Sequence, residues 1–492
     1  MPYMTTRTAR RWAIGTAAAL LCAGLAAPAA AQQAEVTWSK DIAPILQRSC
    51  QQCHRPDGGA PMSLITYEDT RPWARSIKQR TGLRDTQEAM PPWYIEKDIG
   101  IQDYKGDTSL SDAEVEAIAT WVDNGAPRGN PADAPPLREF ADASVWTIGQ
   151  PDLIVSSPSV EIGAADPDWW GPIGQVAIEG LTEDRYVAAI EMKEINNVEP
   201  SGGRDTVGSR WGIHHLVWNV IHPEEYTVEE LAELRRNDPD EYAEVVSSTT
   251  NEQGFWPVHE VGRNADYFDP KAGLLLRAGS NIVFSSAHLH STGTHMTSHL
   301  DIGFRFHPRD YEPEYRNRLL AFGTGELDIR GGQANQKIET FQTLDFNAKL
   351  TIYEPHLHAA GTRMCLDAIY PTTGTMETLS CAGYNHSWVR AYPYADHAAP
   401  LLPKGTILRI SGYFDTSPGN RNVADPRNWA GMGDRSIDNM LINLAQGLVL
   451  SDEQYAAELE QRRRDLDLAP GEYVVGCPGC GYGYVAAQDN QQ

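Results

Sequence analysis

From Trp146 to about Leu450 the chain never sustains a long helical period. Short apolar runs, among them DLIVSS, YVAAIEM, HHLVWNVI, NIVFSSAHLH, LDIGFRF and TILRISGYF, are broken by clusters of Gly, Pro, Asn and Asp. Runs this short, bounded by turn-forming residues, fold as strands, and strands joined by tight turns pair antiparallel. A sheet with one apolar face must bury it against another layer, so the expected body is an all-β sandwich. About 300 residues are too many for a single sandwich core, which predicts two, over 146–312 and 313–475, with a tail over 476–492. Charge-laced helical insertions are expected on the surface over 228–247 and 452–466. The 492 residues carry a net charge of −25. That excess of acid repels nucleic acid and anionic membrane surfaces, so neither is expected as a partner.

The N-terminal third has a different texture. Arg7, Arg10 and Arg11 precede an apolar stretch over 13–27 and the small residues Ala29, Ala30 and Ala31. This is the pattern of a secretory signal peptide over 1–31. The apolar stretch is shorter than the ~20 residues a membrane span needs, so no span is expected after cleavage. A periplasmic or secreted location follows, and there the six cysteines beyond Cys22 are free to form disulfides. Cys50-Gln51-Gln52-Cys53-His54 is C-x-x-C-H, the attachment pattern for c-type haem. Two thiols add to the two vinyl groups, and the adjacent His reaches the iron from one face. A disulfide or zinc pair with an incidental His is the alternative. Met90, stiffened by Pro91 and Pro92, is preferred over Met62 as the sixth ligand. Residues 110–122 read as a helix capped by Ser111 and ended by Gly125 and Pro127. Together, residues 35–128 resemble a small all-α class I cytochrome c domain, and 129–145 read as a Pro- and Ala-rich linker.

Histidine is the informative residue of the β body. Three clusters sit on predicted strands: His214-His215, His288-Leu289-His290 and His356-Leu357-His358. Strand side chains alternate faces, so H-x-H sets two imidazoles side by side as a metal clip. Adjacent histidines diverge on a regular strand, so His214 and His215 reach one metal only where the strand is irregular. Imidazole suits copper, iron and zinc, and a thioether would favour copper. Met296, Met364, Met432 and Met440 are the candidate thioethers, and spacing does not choose among them.

These motifs, in this order, resemble the copper type II, ascorbate-dependent monooxygenases, the peptidylglycine and dopamine hydroxylating family. The resemblance covers about 147–450. It implies two jelly-roll-like sandwiches, each holding one copper. His214, His215 and His288 match the first ligand set. His356 and His358, in H-x-H-x-x-G ending at Gly361, match the second, and the segment DRSIDNMLI supplies Met440. The second centre is implied to bind and activate O2, and the first to relay an electron. The departures matter as well. Glu354 stands where peptide-amidating members carry Arg, and Ile442 and Leu444 where they carry Asn and Tyr. The clamp for a peptide carboxylate is therefore absent, and Glu354 itself reads as an ordinary surface charge.

Cys365 and Cys381 are equidistant from Thr373, at the centre of a predicted hairpin, so a disulfide is expected between them. Cys477 and Cys480 are expected to form a local one. The function expected is an exported haem and copper monooxygenase. It would hydroxylate a C–H bond of a small organic substrate with O2. Electrons would come from an external donor, ascorbate or a periplasmic redox carrier, and enter through the haem. A non-catalytic electron-transfer or copper-binding protein is the alternative.

Overall fold

The structure is a computed structural model that describes residues 35–482, apart from 57, 85, 141–144, 200–209, 223–225, 240, 243–244, 246–255, 261–264, 434 and 436. The expected signal peptide over 1–31 lies outside the described residues.

The body is two antiparallel β-sandwiches. In the first, one sheet runs in the order Leu153–Ser156, Met296–Phe306, Arg185–Asn196, Ala265–Tyr267. The facing sheet runs Trp169–Gly171, Asn281–Leu289, Ile213–Ile221, His259–Glu260. Alternate residues of both sheets point inward, and Ile190, Leu216, Trp218, Phe284, Leu300 and Phe304 fill the core. In the second sandwich, Arg316–Leu319, Gln446–Leu450, Asn347–Tyr353 and Tyr392–Pro393 form one sheet. Gln336–Thr343, Ile407–Phe414, Gly361–Tyr370 and Thr375–Gly383 form another. A small third sheet, Phe322–Gly323, Leu441–Asn443, Pro355–Leu357, holds the second histidine clip. Met296 and Met364 are each fully buried in the two cores.

The two insertions do form helices, Val228–Asn237 and Asp452–Asp465. Neither is a purely surface element: Leu231 and Tyr242 of the first insertion are buried against Ile221 and Val283, and the second helix packs inward as well. In the second, Tyr455, Leu459 and Arg462 are buried, and Tyr455 and Leu459 pack with Leu401, Leu448 and the Cys477–Cys480 disulfide. Arg462 is tolerated there because its guanidinium donates to the carbonyls of Asp396 and Ala399 at 3.0 and 2.8 Å.

Few helices lie at the N-terminal end. A π turn Trp38–Ile42 runs into helix Ala43–Ser49, followed by Ala74–Thr81 and Asp112–Asp123. Ser111 caps the last, with its hydroxyl and the Glu114 carboxylate satisfying each other's backbone N–H in a capping box. Trp38, Leu46, Ile77, Ile118 and Trp121 form their shared core. Residues 93–105, between the last two helices, leave this core altogether. Trp93, Ile95, Ile101 and Tyr104 belong to the core of the second sandwich. Glu96 and Ile101 donate backbone bonds to Cys381 and Leu379, and Gly383 donates to Tyr94. The segment lies so close to that strand that a Cβ on Gly100 would fall 2.4 Å from the Leu379 carbonyl, at a φ of +65°. Residues 129–140 are likewise laid down rather than loose. Gln47 donates to the Pro136 carbonyl and Arg138 to the Gln47 carbonyl.

Cys365 and Cys381 stand directly opposite each other in the hairpin and are bonded. Their bond closes a loop over a separation of 16 residues, which in the chain-entropy description stabilises by about 3 kcal/mol. A Cys365→Ser/Cys381→Ser double variant is therefore expected to lose about that much in denaturant unfolding. An unchanged midpoint would show that the hairpin register alone holds these strands.

Candidate metal centre between the sandwiches

Strand Ile213–Ile221 lies between two neighbours, and its irregularity is what gathers the first cluster. His215 pairs with His288, but the next pair is Ile213 with Leu289. His214 has no partner in the ladder and is a β-bulge, a device that re-aims one side chain without moving the strand. The irregular strand that adjacent histidines require is thus present. The ring nitrogens of His214, His215 and His288 come within 4.8 Å of one another. The ring centres lie 4.9 Å apart for His214 and His288, 5.4 Å for His215 and His288, and 6.2 Å for His214 and His215. Two imidazoles bound to one metal at the usual metal–nitrogen length have centres roughly 5 to 6.5 Å apart. His288 is held in place by Trp170, stacked on it at 4.6 Å, and by Asp168, 3.2 Å from its Nε2. His290 stands 5.9 Å from His214, and its Nε2 is buried without a partner.

The second clip lies on the short strand Pro355–Leu357 and the turn after it. His356 and His358 have ring centres 5.4 Å apart. The turn closes with the Gly361 N–H donating to the His358 carbonyl at 2.7 Å. Only glycine fits at 361, since a Cβ there would lie 2.4 Å from the Leu357 side chain. Met440, half-buried, directly precedes Leu441, the partner of Leu357 across the small sheet. Met432 is instead exposed on an open groove of about 810 Å³, together with Leu327, Asp328, Trp429 and Asp438. The backbone of Asp438 also accepts from the His358 ring.

The two ligand sets, although carried by different sandwiches, face one another. Glu260, paired in register with His215, reaches His356 across the interface at 3.3 Å. His386 has its ring 5.9 Å from His214 and 6.1 Å from His358. The sequence reading missed Glu260 and His386, as well as Asp168 and Trp170. His386 is a single His in a loop, and Glu260 is one acid among many, so neither carries a periodic signal. Glu354 is a correction. It is 1% exposed rather than a surface charge, and it faces His356, whose protonated form it favours.

Burial and mutual repulsion keep most of these imidazoles neutral. His214 and His215 are held well below the ordinary histidine range, chiefly by burial and then by neighbouring rings. His288 is lowered by burial against the pull of Asp168. Burial and nearby His356 and His288 lower His386 to about 4. His356 is the exception. Burial pushes it down, but Glu260 and Glu354 outweigh this and raise it. Nδ1 of His214, His358 and His386 is shut off from solvent with no partner. Buried polar atoms are rarely left so, and neutral imidazoles with free lone pairs are what a metal ion binds.

At the N-terminal helices, Cys50 and Cys53 are free thiols, whereas the other four cysteines of the described residues are bonded. Burial, then Cys53, raises the Cys50 thiol to about 12, so the pair is not an activated redox dithiol. The His54 Nδ1 lies 3.2 Å from the Met62 carbonyl, which fixes the ring and leaves Nε2 for a metal. Met62 packs against the helical core, while Met90 is 42% exposed. This end touches the second clip. The Gln87 amide donates to the Gly361 carbonyl at 3.3 Å. Burial raises the Cys53 thiol, and Arg390, which lies over the Trp93 ring, offsets part of that rise.

No protein-family model and no curated protein matches the chain. Among solved structures, a chain from the crystal structure of the T13 IBDV viral particle aligns with 62% of this chain and 72% of its own. Its identity is 9% and its TM-score 0.18, so the likeness carries no argument about fold or function.

The lowered imidazoles set a pH dependence for the metal-free protein. Their folded-state values lie below the ~6.5 of an unfolded histidine, so below that pH the unfolded chain binds more protons than the folded one. Stability should be full above about pH 6.5 and fall as pH drops toward 4, with His356 alone acting in the opposite sense. Thermal melts of metal-free protein across this window measure it. A flat profile would contradict the neutral, buried state of the cluster.

Proposed function

We propose that this chain is an exported copper-dependent monooxygenase with a covalent c-type haem at its N-terminal helices. The observation that carries the reading is the meeting of imidazoles from both sandwiches at one interface, buried, mostly neutral and with several unpartnered ring nitrogens. The ordered resemblance to the copper type II monooxygenases supports the identity of the metal. Two disulfides are in keeping with an oxidising, periplasmic or secreted setting, and no described helix is long and apolar enough to cross a membrane.

In this reading His214, His215 and His288 hold one copper, and His356 and His358, with Met440, hold the other. Cys50 and Cys53 would carry the haem, and His54 and Met90 would hold its iron. When bound, copper would supply one-electron chemistry toward O2, and the haem would pass on electrons from an external donor such as ascorbate or a periplasmic carrier. The chain's own contribution is positional. The bulge at His214 brings adjacent histidines to one point, and Trp170 and Asp168 fix the His288 ring. Glu260 holds His356 from the opposite sandwich. The groove lined by Trp429, Met432 and Leu327 offers an apolar and aromatic surface to a small organic substrate beside His358. The hydrogen bond from Gln87 to the Gly361 carbonyl would keep the haem-bearing helices against the second clip, where electrons could be delivered within the chain.

Metal analysis of the purified holoprotein should give one iron and two coppers per chain, and an oxygen electrode should report substrate-dependent O2 uptake. Copper binding without uptake over a broad substrate screen would favour the non-catalytic alternative. Cys53→Ser should lose the fully covalent haem, and a haem stain on denaturing gels reads this directly. Met440→Leu keeps side-chain volume and should cost less than ~1.5 kcal/mol in stability. It should load Cu(II) nearly normally yet lose most O2 consumption, since a thioether favours reduced copper. Full activity in that variant would remove Met440 from the site.

A further inference from the structure

We propose that His386 is a metal ligand, the third imidazole of the second centre, and that it closes the gap between the two centres. This rests on the copper reading and deepens it.

Three observations meet at this residue. Its ring centre is 6.1 Å from that of His358 and 5.9 Å from that of His214, both within the span of imidazoles sharing one metal. Its Nδ1 is buried without a hydrogen-bond partner, as are the Nδ1 atoms of His214 and His358 beside it. Its flanks are pinned. The Tyr384 hydroxyl donates to the Leu357 carbonyl at 2.5 Å, between the two residues of the clip. The Asn385 amide donates to the Tyr94 hydroxyl at 3.1 Å, and the Ser387 N–H to the Asn385 side chain at 3.1 Å. A ring held on both sides and aimed at a histidine cluster is preorganised for a ligand rather than free to turn away. The second centre then has His356, His358 and His386, matching the three imidazoles of the first.

The test uses the full-length holoprotein with His386→Ala and His386→Gln. Copper is titrated against a competing chelator, and X-ray absorption of the wild type counts imidazoles. The expected result is that one copper binds as in the wild type and the other at least tenfold more weakly in both variants. The wild type should show six imidazoles over two coppers rather than five. Normal haem content and an unchanged unfolding transition of the metal-free variants confirm the fold. Should either variant fail to fold, the wild-type imidazole count decides alone. Two coppers bound with unchanged affinity, or a count of five, would overturn the role of His386 and leave the copper reading intact. A wild type that binds no copper would overturn both.

Discussion

The contact of Glu260 with His356 joins the two sandwiches at the point where their histidines meet. A carboxylate 4% exposed is costly in a low-dielectric interface unless a cation or metal balances it. Here the balance comes from the opposite domain. His356 is raised while most of its imidazole neighbours are lowered. Glu260 is also the register partner of His215, so one residue fixes where the second clip stands relative to the first. The remaining features of the site depend on this alignment. His386 can lie between His214 and His358 only because the two sandwiches are brought face to face here.

The N-terminal helices are tied to the same region. Residues 93–105 run along strand Thr375–Gly383 and contribute Trp93, Ile95, Ile101 and Tyr104 to the second core. The neighbouring strand carries Cys365, whose bond to Cys381 stiffens the surface on which that segment lies. The helices therefore cannot drift from the second clip without exposing large aromatic side chains. Burying such side chains is worth about 1.5 to 3 kcal/mol each. A short linker was not needed for this proximity. The anchoring comes from the segment after Met90.

Much of the β architecture was legible because turn residues punctuate short apolar runs, and two sandwiches follow from length. The Cys365–Cys381 pairing was legible because a hairpin makes distance from the turn equal to register. The need for an irregular strand at His214 was legible from side-chain alternation, and the bulge lies there. What the sequence could not disclose are contacts between residues far apart in the chain. Glu354 reads as a surface acid because nothing local marks it as buried. Glu260 and His386 become site residues only once the sandwiches face each other. The path of residues 93–105 was hidden for the same reason, since a short loop with scattered aromatics looks like part of whatever precedes it.

The most direct measurement is anomalous X-ray diffraction at the copper edge from crystals of copper-loaded protein. Two peaks are predicted between the sandwiches, one at His214, His215 and His288 and the other at His356 and His358. Absence of copper from this interface, or copper held only at other surface groups, would contradict the metal centre from which the proposed function follows.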